Sequence, residues 1–181
     1  SLEDTTGFSE GLTGWGGIAL LGYFSQQTED SFLDHSIVEY SSGNGITCLE
    51  YPNLEITNTI VRHNRLTGIV LYEFSDITMH GLHIHHNGTG GLEAQFSGVQ
   101  VSDFVIEHNG GSGVALSGSS YSMEGVLLEN GTISNNNTNS FGGGLQALMD
   151  AVVNLNDVNI HNNSATLGGG VYCSWADVSM A

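Results

Sequence analysis

The residues best able to do chemistry in this chain are five histidines, His63, His83, His85, His86 and His108. Three of them stand immediately before an asparagine, as His63-Asn64, His86-Asn87 and His108-Asn109, at spacings of 23 and 22 residues. Tyr40 takes the same place one repeat earlier. If the repeats stack as neighbouring strands, His63, His86 and His108 form a column with about 5 Å between rings. Such a column suits zinc, copper or nickel; a plain stack of rings beside a turn has the same pattern. Its charge would change between about pH 5 and 7. His83 and His85 lie on the same segment. Glu107 aligns with His85, and Arg62 with Glu39, as opposite-charge pairs that would fix register.

Carboxylates form a second candidate. Glu50 and Glu73 share a column, 23 residues apart, with Asp150 and Asp177 near the same strand end in later repeats. Like charges at about 5 Å repel unless a cation or a proton relieves them. Calcium takes oxygen ligands and would fit, although the chain carries no EF-hand or nonapeptide calcium signature. The alternative is solvated side chains splayed apart. Tyr72, Glu93, Gln95 and Tyr172 occupy outward strand positions and are candidates for holding a glycan, because exposed aromatics stack on sugar rings. Tyr23, Tyr51 and Phe74 align as a further aromatic ladder. Two opposed carboxylates could converge from loops, but no residue is assigned to catalysis.

What must position these side chains is a repeat. Glycine followed by an aliphatic recurs at Gly17, Gly45, Gly68, Gly91, Gly113, Gly144 and Gly170, at spacings of 28, 23, 23, 22, 31 and 26 residues. A near-regular period of this size marks a solenoid. Positions one and three after each glycine are apolar, from Ile18/Leu20 to Val171/Cys173. A second ladder runs through Asn64, Asn87, Asn109, Asn136 and Asn163, each with an aliphatic three residues earlier, and Ser41 fills the slot one rung before. Ten and eight residues before each Asn stands an apolar pair, from Leu54/Ile56 to Val153/Leu155. The alternation has period two, which is a strand pattern, and almost no helix is expected. Turns fall at Gly and Asn, the residues that most readily accept positive φ. Extra residues near Ser25–Asp30 and Ser117–Glu124, and longer turns at Asn136–Phe141 and Ser164–Gly168, could rim a groove or be neutral length variation.

These columns resemble the right-handed parallel β-helix of the pectin-lyase-like superfamily, over residues 15 to 181. The late rungs ISNNNTNSFGGGLQA (133–147) and IHNNSATLGGGVYCS (160–174) resemble the repeats of bacterial polymorphic outer-membrane proteins. The expected fold is all-β: a single-stranded right-handed parallel β-helix of about seven rungs, with residues 1–14 as a lead-in and partial cap. The resemblance also implies polysaccharide chemistry, in which family lyases use Arg or Lys with bound calcium. Here lysine is absent and Arg62 and Arg65 are the only arginines. The chain has no Asn-Thr-Asp or Gly-His-Gly triplet, no Asp-Asp pair and no Asp-Pro-His-Asp motif.

Composition narrows the classes further. A chain of 181 residues with one proline is expected to hold one continuous core. The net charge of −17 arises from missing bases. It argues against phosphate-neutralising nucleic-acid binding and against attraction to an anionic membrane. No apolar run is long enough to span a bilayer. Cys48 and Cys173 fall five rungs apart, roughly 24 Å, too far for a disulfide, and both read as buried, inert thiols. Four sequons, at Asn87, Asn130, Asn136 and Asn162, are what an Asn/Ser/Thr-rich repeat generates by chance. The first residues are a poor start for a signal peptide, which a secreted precursor would already have lost. The last residues stop mid-rung, so a longer parent or end-to-end stacking is expected. The sequence therefore reads as a non-catalytic, extracellular or cell-surface structural or adhesive module. The alternatives are a carbohydrate-active enzyme (lyase, hydrolase or epimerase) and a protomer of a head-to-tail filament. The partners expected are glycans or another copy of the chain, and calcium is the one cofactor entertained.

Overall fold

The computed structural model describes residues 14–22, 31–50, 54–73, 76–118 and 125–181. Among these the chain forms seventeen strands and no helix. The strands make three walls around one core, and each pairing between strands is parallel. The aromatic ladder of Tyr23, Tyr51 and Phe74, most of both inserted loops and most of the lead-in lie outside the described residues.

Wall one is a seven-stranded sheet running from Ile18–Leu21 to Val171–Ser174. Its register aligns Ile18, Ile46, Ile69, Leu92, Val114, Leu145 and Val171, the column that follows the repeated glycine. Wall two aligns Leu54, Ile77, Val99, Val126, Val153 and Val178. Wall three aligns Val38, Val61, Ile84, Ile106, Ile133 and Ile160. In later rungs a single strand, such as Gly98–Glu107, runs through walls two and three. The inward residues Ile46, Ile56, Ile69, Met79, Ile84, Leu92 and Ile106 are completely buried. Each such side chain contributes about 1.5–3 kcal/mol. Stacking is what buries them, because a lone rung has no interior.

The corners correct one expectation. Most corners turn on one residue at positive φ, with Asp150, Gly125, Gly142 and Gly168 as further positive-φ positions in the later rungs. The corner residues form three columns. One lies between walls two and three: His35, Asn58, Gly81, Asp103, Asn130 and Asp157. One follows wall three: Tyr40, His63, His86, His108, Asn135 and Asn162. One follows wall one: Glu50, Glu73, Phe96, Gly118, Met149 and Trp175. The ladder asparagines do not carry the positive φ; the residue before each of them does. Nor do the repeated glycines carry it, apart from Gly17 at φ 83°. Those glycines answer a shortage of space. A Cβ on Gly91 would lie 2.5 Å from Ile106 Cγ2 and 2.6 Å from the Gly113 carbonyl oxygen.

The ladder itself forms as expected. Oδ1 of Asn87 accepts from the backbone N–H and the side-chain amide of Asn64, while Asn87 Nδ2 donates to the Val61 carbonyl and to Asn109 Oδ1. The same four contacts recur from rung to rung through Asn163. Among the described residues no buried side-chain polar atom lacks a partner. Both cysteines are free thiols, but only Cys48 is buried. Cys173 is exposed, contrary to its inward column, because among the described residues Val171–Ser174 is the edge strand of wall one and pairs on one side only.

Candidate functional site

The outward side of wall three holds the densest chemistry. Strands Ile37–Glu39, Ile60–Arg62 and His83–His85, with the second half of Gly98–Glu107, present alternate side chains to solvent while Val38, Val61, Ile84 and Ile106 point into the core. Period-two alternation therefore puts Glu39, Arg62, His83, His85 and Glu107 on one face. The positive-φ corner then swings Tyr40, His63, His86 and His108 to the edge of the same face.

The edge rings stack as the spacing predicts. Tyr40 and His63 lie 5.5 Å apart and nearly parallel, His63 and His86 5.3 Å, and His86 and His108 5.1 Å at an interplanar angle of 5°. His85 is the hub: its ring centre is 4.1 Å from His83, 5.1 Å from His86 and 5.9 Å from His63. His85 Nδ1 and His86 Nδ1 are 2.8 Å apart. Burial pushes His85 down to about 4, helped by the charges of His83, His86, His63 and Arg62. His86 is also pushed down, by burial first and His108 second.

The acids on this face are engaged. Arg62 Nε donates to Glu39 Oε2 at 2.7 Å, the pair expected from the register. Glu107 aligns with His85 through the backbone, yet its carboxylate does not bond that ring. Its Oε1 lies 3.0 Å from His83 Nε2 and its Oε2 3.4 Å from His108 Nδ1. The bond from His83 holds Glu107 below the usual carboxylate range. Register is set by Cα partners, whereas a long side chain reaches two residues along the same face, and sequence spacing carries only the first. Spacing placed His83 and His85 on this segment, but it showed neither the bond from His83 to Glu107 nor the central position of His85. The His83-Ile84-His85 alternation was the available signal.

The other candidates are more dispersed. Glu50 and Glu73 stand at the corner after wall one, at φ 50° and 44°. Among the described residues no three His, Cys, Asp or Glu side chains converge as a metal site, those of His63, His86 and His108 included. Tyr72, Glu93 and Gln95 meet on wall one: Gln95 pairs with Tyr72, and Gln95 Nε2 donates to Glu93 Oε1 at 2.8 Å. Burial and the Glu93 charge push the Tyr72 phenol up. Tyr172 lies three strands beyond Glu93 and Gln95 and stacks on Phe141 at 4.7 Å, so it does not join them. The two longer turns bridge one another, at Asn137–Ser164 and Phe141–Leu167.

Solved structures that superpose on this chain include two kinds of epimerase by name. The periplasmic alginate epimerase AlgG superposes with a TM-score of 0.59 at 18% identity, over 83% of this chain and 39% of that one. The A-module of the Azotobacter vinelandii mannuronan C-5 epimerase AlgE6 gives 0.56 at 16% identity, over 92% of this chain and 55% of that one. At these identities the likeness is one of fold, and the chain spans only about two fifths to a little over half of their length. No curated protein matches the sequence. A family model described as "Right handed beta helix region" matches residues 21–178. With its parallel walls, its stacked core and that match over most of its length, the chain belongs to the right handed beta helix family.

Proposed function

We propose that this chain is a carbohydrate-active β-helix that works outside the cytoplasm and presents wall three to an acidic polysaccharide. One observation carries the reading: both arginines and five of the eight histidines gather on or beside one wall, across three adjacent rungs, in a chain of net charge −17. The overall charge repels a polyanion at long range, but salt screens that field within about 8 Å. At contact, the local composition decides. The solved neighbours, named as alginate epimerases, support the class, and the one named as periplasmic supports the location.

The chemistry is consistent with the wall. Inverting or eliminating at the carbon beside a uronate carboxylate needs a cation to hold that carboxylate and an unprotonated base to take the proton. Arg65 supplies a cation, Arg62 a second one already paired with Glu39, and His85, pushed down to about 4, is unprotonated at pH 7 but a weak base. A second reading has its own observation. Arg62 is bonded to Glu39 and Glu107 to His83, as they would be in the non-catalytic module expected from the sequence.

Calorimetry with acidic and neutral oligosaccharides, followed by NMR of the sugar products, separates the two. Acidic chains should bind, and replacing Arg62 and Arg65 together by Gln should weaken binding at least tenfold. Equal binding of neutral glycans, or no loss in the double variant, would sink the proposal. Binding without any change in the sugar would return the chain to the non-catalytic reading.

A further inference from the structure

The charges of wall three cancel as long as its histidines are neutral. Glu39 is bonded to Arg62, and Glu107 is bonded to His83 and lies 3.4 Å from His108. Arg65 is an exposed cation in the adjoining turn. Two arginines therefore face two glutamates. The next rung adds no charge, because Ser134 and Asn135 take the places of Glu107 and His108. His161 stands one rung farther still. At the opposite corner Asp34 is paired with His35 and Asp103 with His80.

Protons change this balance. Histidine ionises between about pH 5 and 8. Protonation of His63, His83, His86 and His108 would add four positive charges, three of them in the stacked corner column at spacings of 5.3 and 5.1 Å. Glu107 stays ionised through this range, because the bond from His83 holds it below the usual carboxylate range. Like charges this close repel. In the free protein, burial and then the charges of His108 and His63 hold His86 down, and His85, pushed down to about 4, stays neutral above pH 5. A row of anions laid along the column relieves the repulsion, so a bound polyanion makes each proton easier to add. By linkage, each added proton then makes the polyanion bind more tightly.

We propose that wall three is a proton-dependent binding site for an acidic polysaccharide, which gains most of its affinity when the surroundings turn mildly acidic. The proposal rests on the assignment of wall three to an acidic glycan and adds the signal that controls it. The column of His63, His86 and His108 runs along the axis of the coil, so a polymer laid lengthwise meets one imidazolium per rung.

Binding of an oligouronate is measured by calorimetry at pH 7.5 and pH 5.0, at one ionic strength and in buffers of different ionisation enthalpy. Its carboxylates remain ionised at both, as groups that titrate near about 4 do. Affinity should be at least tenfold higher at pH 5.0, and at pH 6 the protein should take up at least one proton for each ligand bound. The corner variant carries His63→Asn, His86→Asn and His108→Asn, the residue that the same column holds at Asn135 and Asn162, also at positive φ. Its gain between the two pH values should shrink to threefold or less. A control variant carries His35→Asn, His80→Ser and His161→Ser, and loses as many histidines away from the column. It should keep the full gain. Equal affinity at the two pH values, or binding without proton uptake, would overturn the inference and leave the glycan assignment standing. No binding at either pH would overturn both. A gain that survives in the corner variant, or that falls equally in the control, would trace the effect to the charge of the whole chain and overturn the inference. Strand content by circular dichroism at both pH values confirms that each variant is folded, and the proton count on the parent protein needs no variant.

Discussion

Two columns in this coil lie one residue apart in sequence and follow opposite rules. Asn64, Asn87, Asn109, Asn136 and Asn163 face inward, and each repeats the same bonds to its neighbours. The residues just before them face outward and change character along the axis, from Tyr40 through His63, His86 and His108 to Asn135 and Asn162. Their backbones are nearly identical, with φ between 52° and 57°. The inner column is fixed by buried amides that have no other partner. The outer column is fixed only in conformation, so its side chains are open to selection for chemistry. Structure and candidate function thus sit on consecutive residues.

The largest test of this contrast is Asn87→Ala against His86→Asn. The first removes the acceptor for two donors of Asn64 and the donor to the Val61 carbonyl. At about 1–3 kcal/mol for each buried group left unpaired, it should cost about 3–5 kcal/mol in urea unfolding. His86→Asn should cost less than about 1 kcal/mol. If the two losses were equal, the division between columns would fail.

Next in size is Gly91→Ala. Its Cβ would crowd Ile106 and the Gly113 carbonyl, and overpacking of this kind costs about 1–3 kcal/mol. At Gly16, where an added Cβ meets nothing within 4 Å, the same change should be within about 0.5 kcal/mol of neutral. Thermal unfolding of the pair checks whether space, and not backbone freedom, selects the repeated glycines.

A smaller effect is expected from acid. His85 is pushed from the ordinary 6.5 down to about 4, so the unfolded chain binds the proton more readily. Stability then rises with pH across this window and is lost as pH falls from about 6.5 toward 4. In metal-free buffer, the melting temperature of His85→Ser should fall less over that range than that of the parent. An identical slope would show that the hub does not feel its neighbours. The mildest perturbation is alkylation of the native protein at pH 8. Burial raises the Cys48 thiol to about 12, so iodoacetamide should label Cys173 and spare Cys48. Labelling of Cys48 before unfolding would contradict its place in the core.

Much of the fold could be read before any coordinates. The columns that begin at Ile18, Leu54 and Val38 pair rung by rung as spacing predicts, because a buried strand constrains residue type at every second position. The reason for the glycines was misread, since sequence shows that a small residue is needed but not whether φ or space demands it. The exposure of Cys173 was missed as well, because an inward position is buried only when another rung lies over it. The candidate site was half legible. Spacing gave the stacking of Tyr40, His63, His86 and His108. It did not give the His83–Glu107 bond, which depends on which way two flexible side chains lean along a shared face.

The three corner columns also make the coil easy to cut and rejoin. Since Gly68 and Gly91 occupy equivalent places and every ladder advances by one step between them, removing residues 69–91 would splice Gly68 to Leu92 with all walls still in register. A shortened chain of this kind would keep its interior and lose His83, His85 and His86 in one stroke. Length and chemistry can therefore be exchanged in units of one turn, without redesign of the remaining protein.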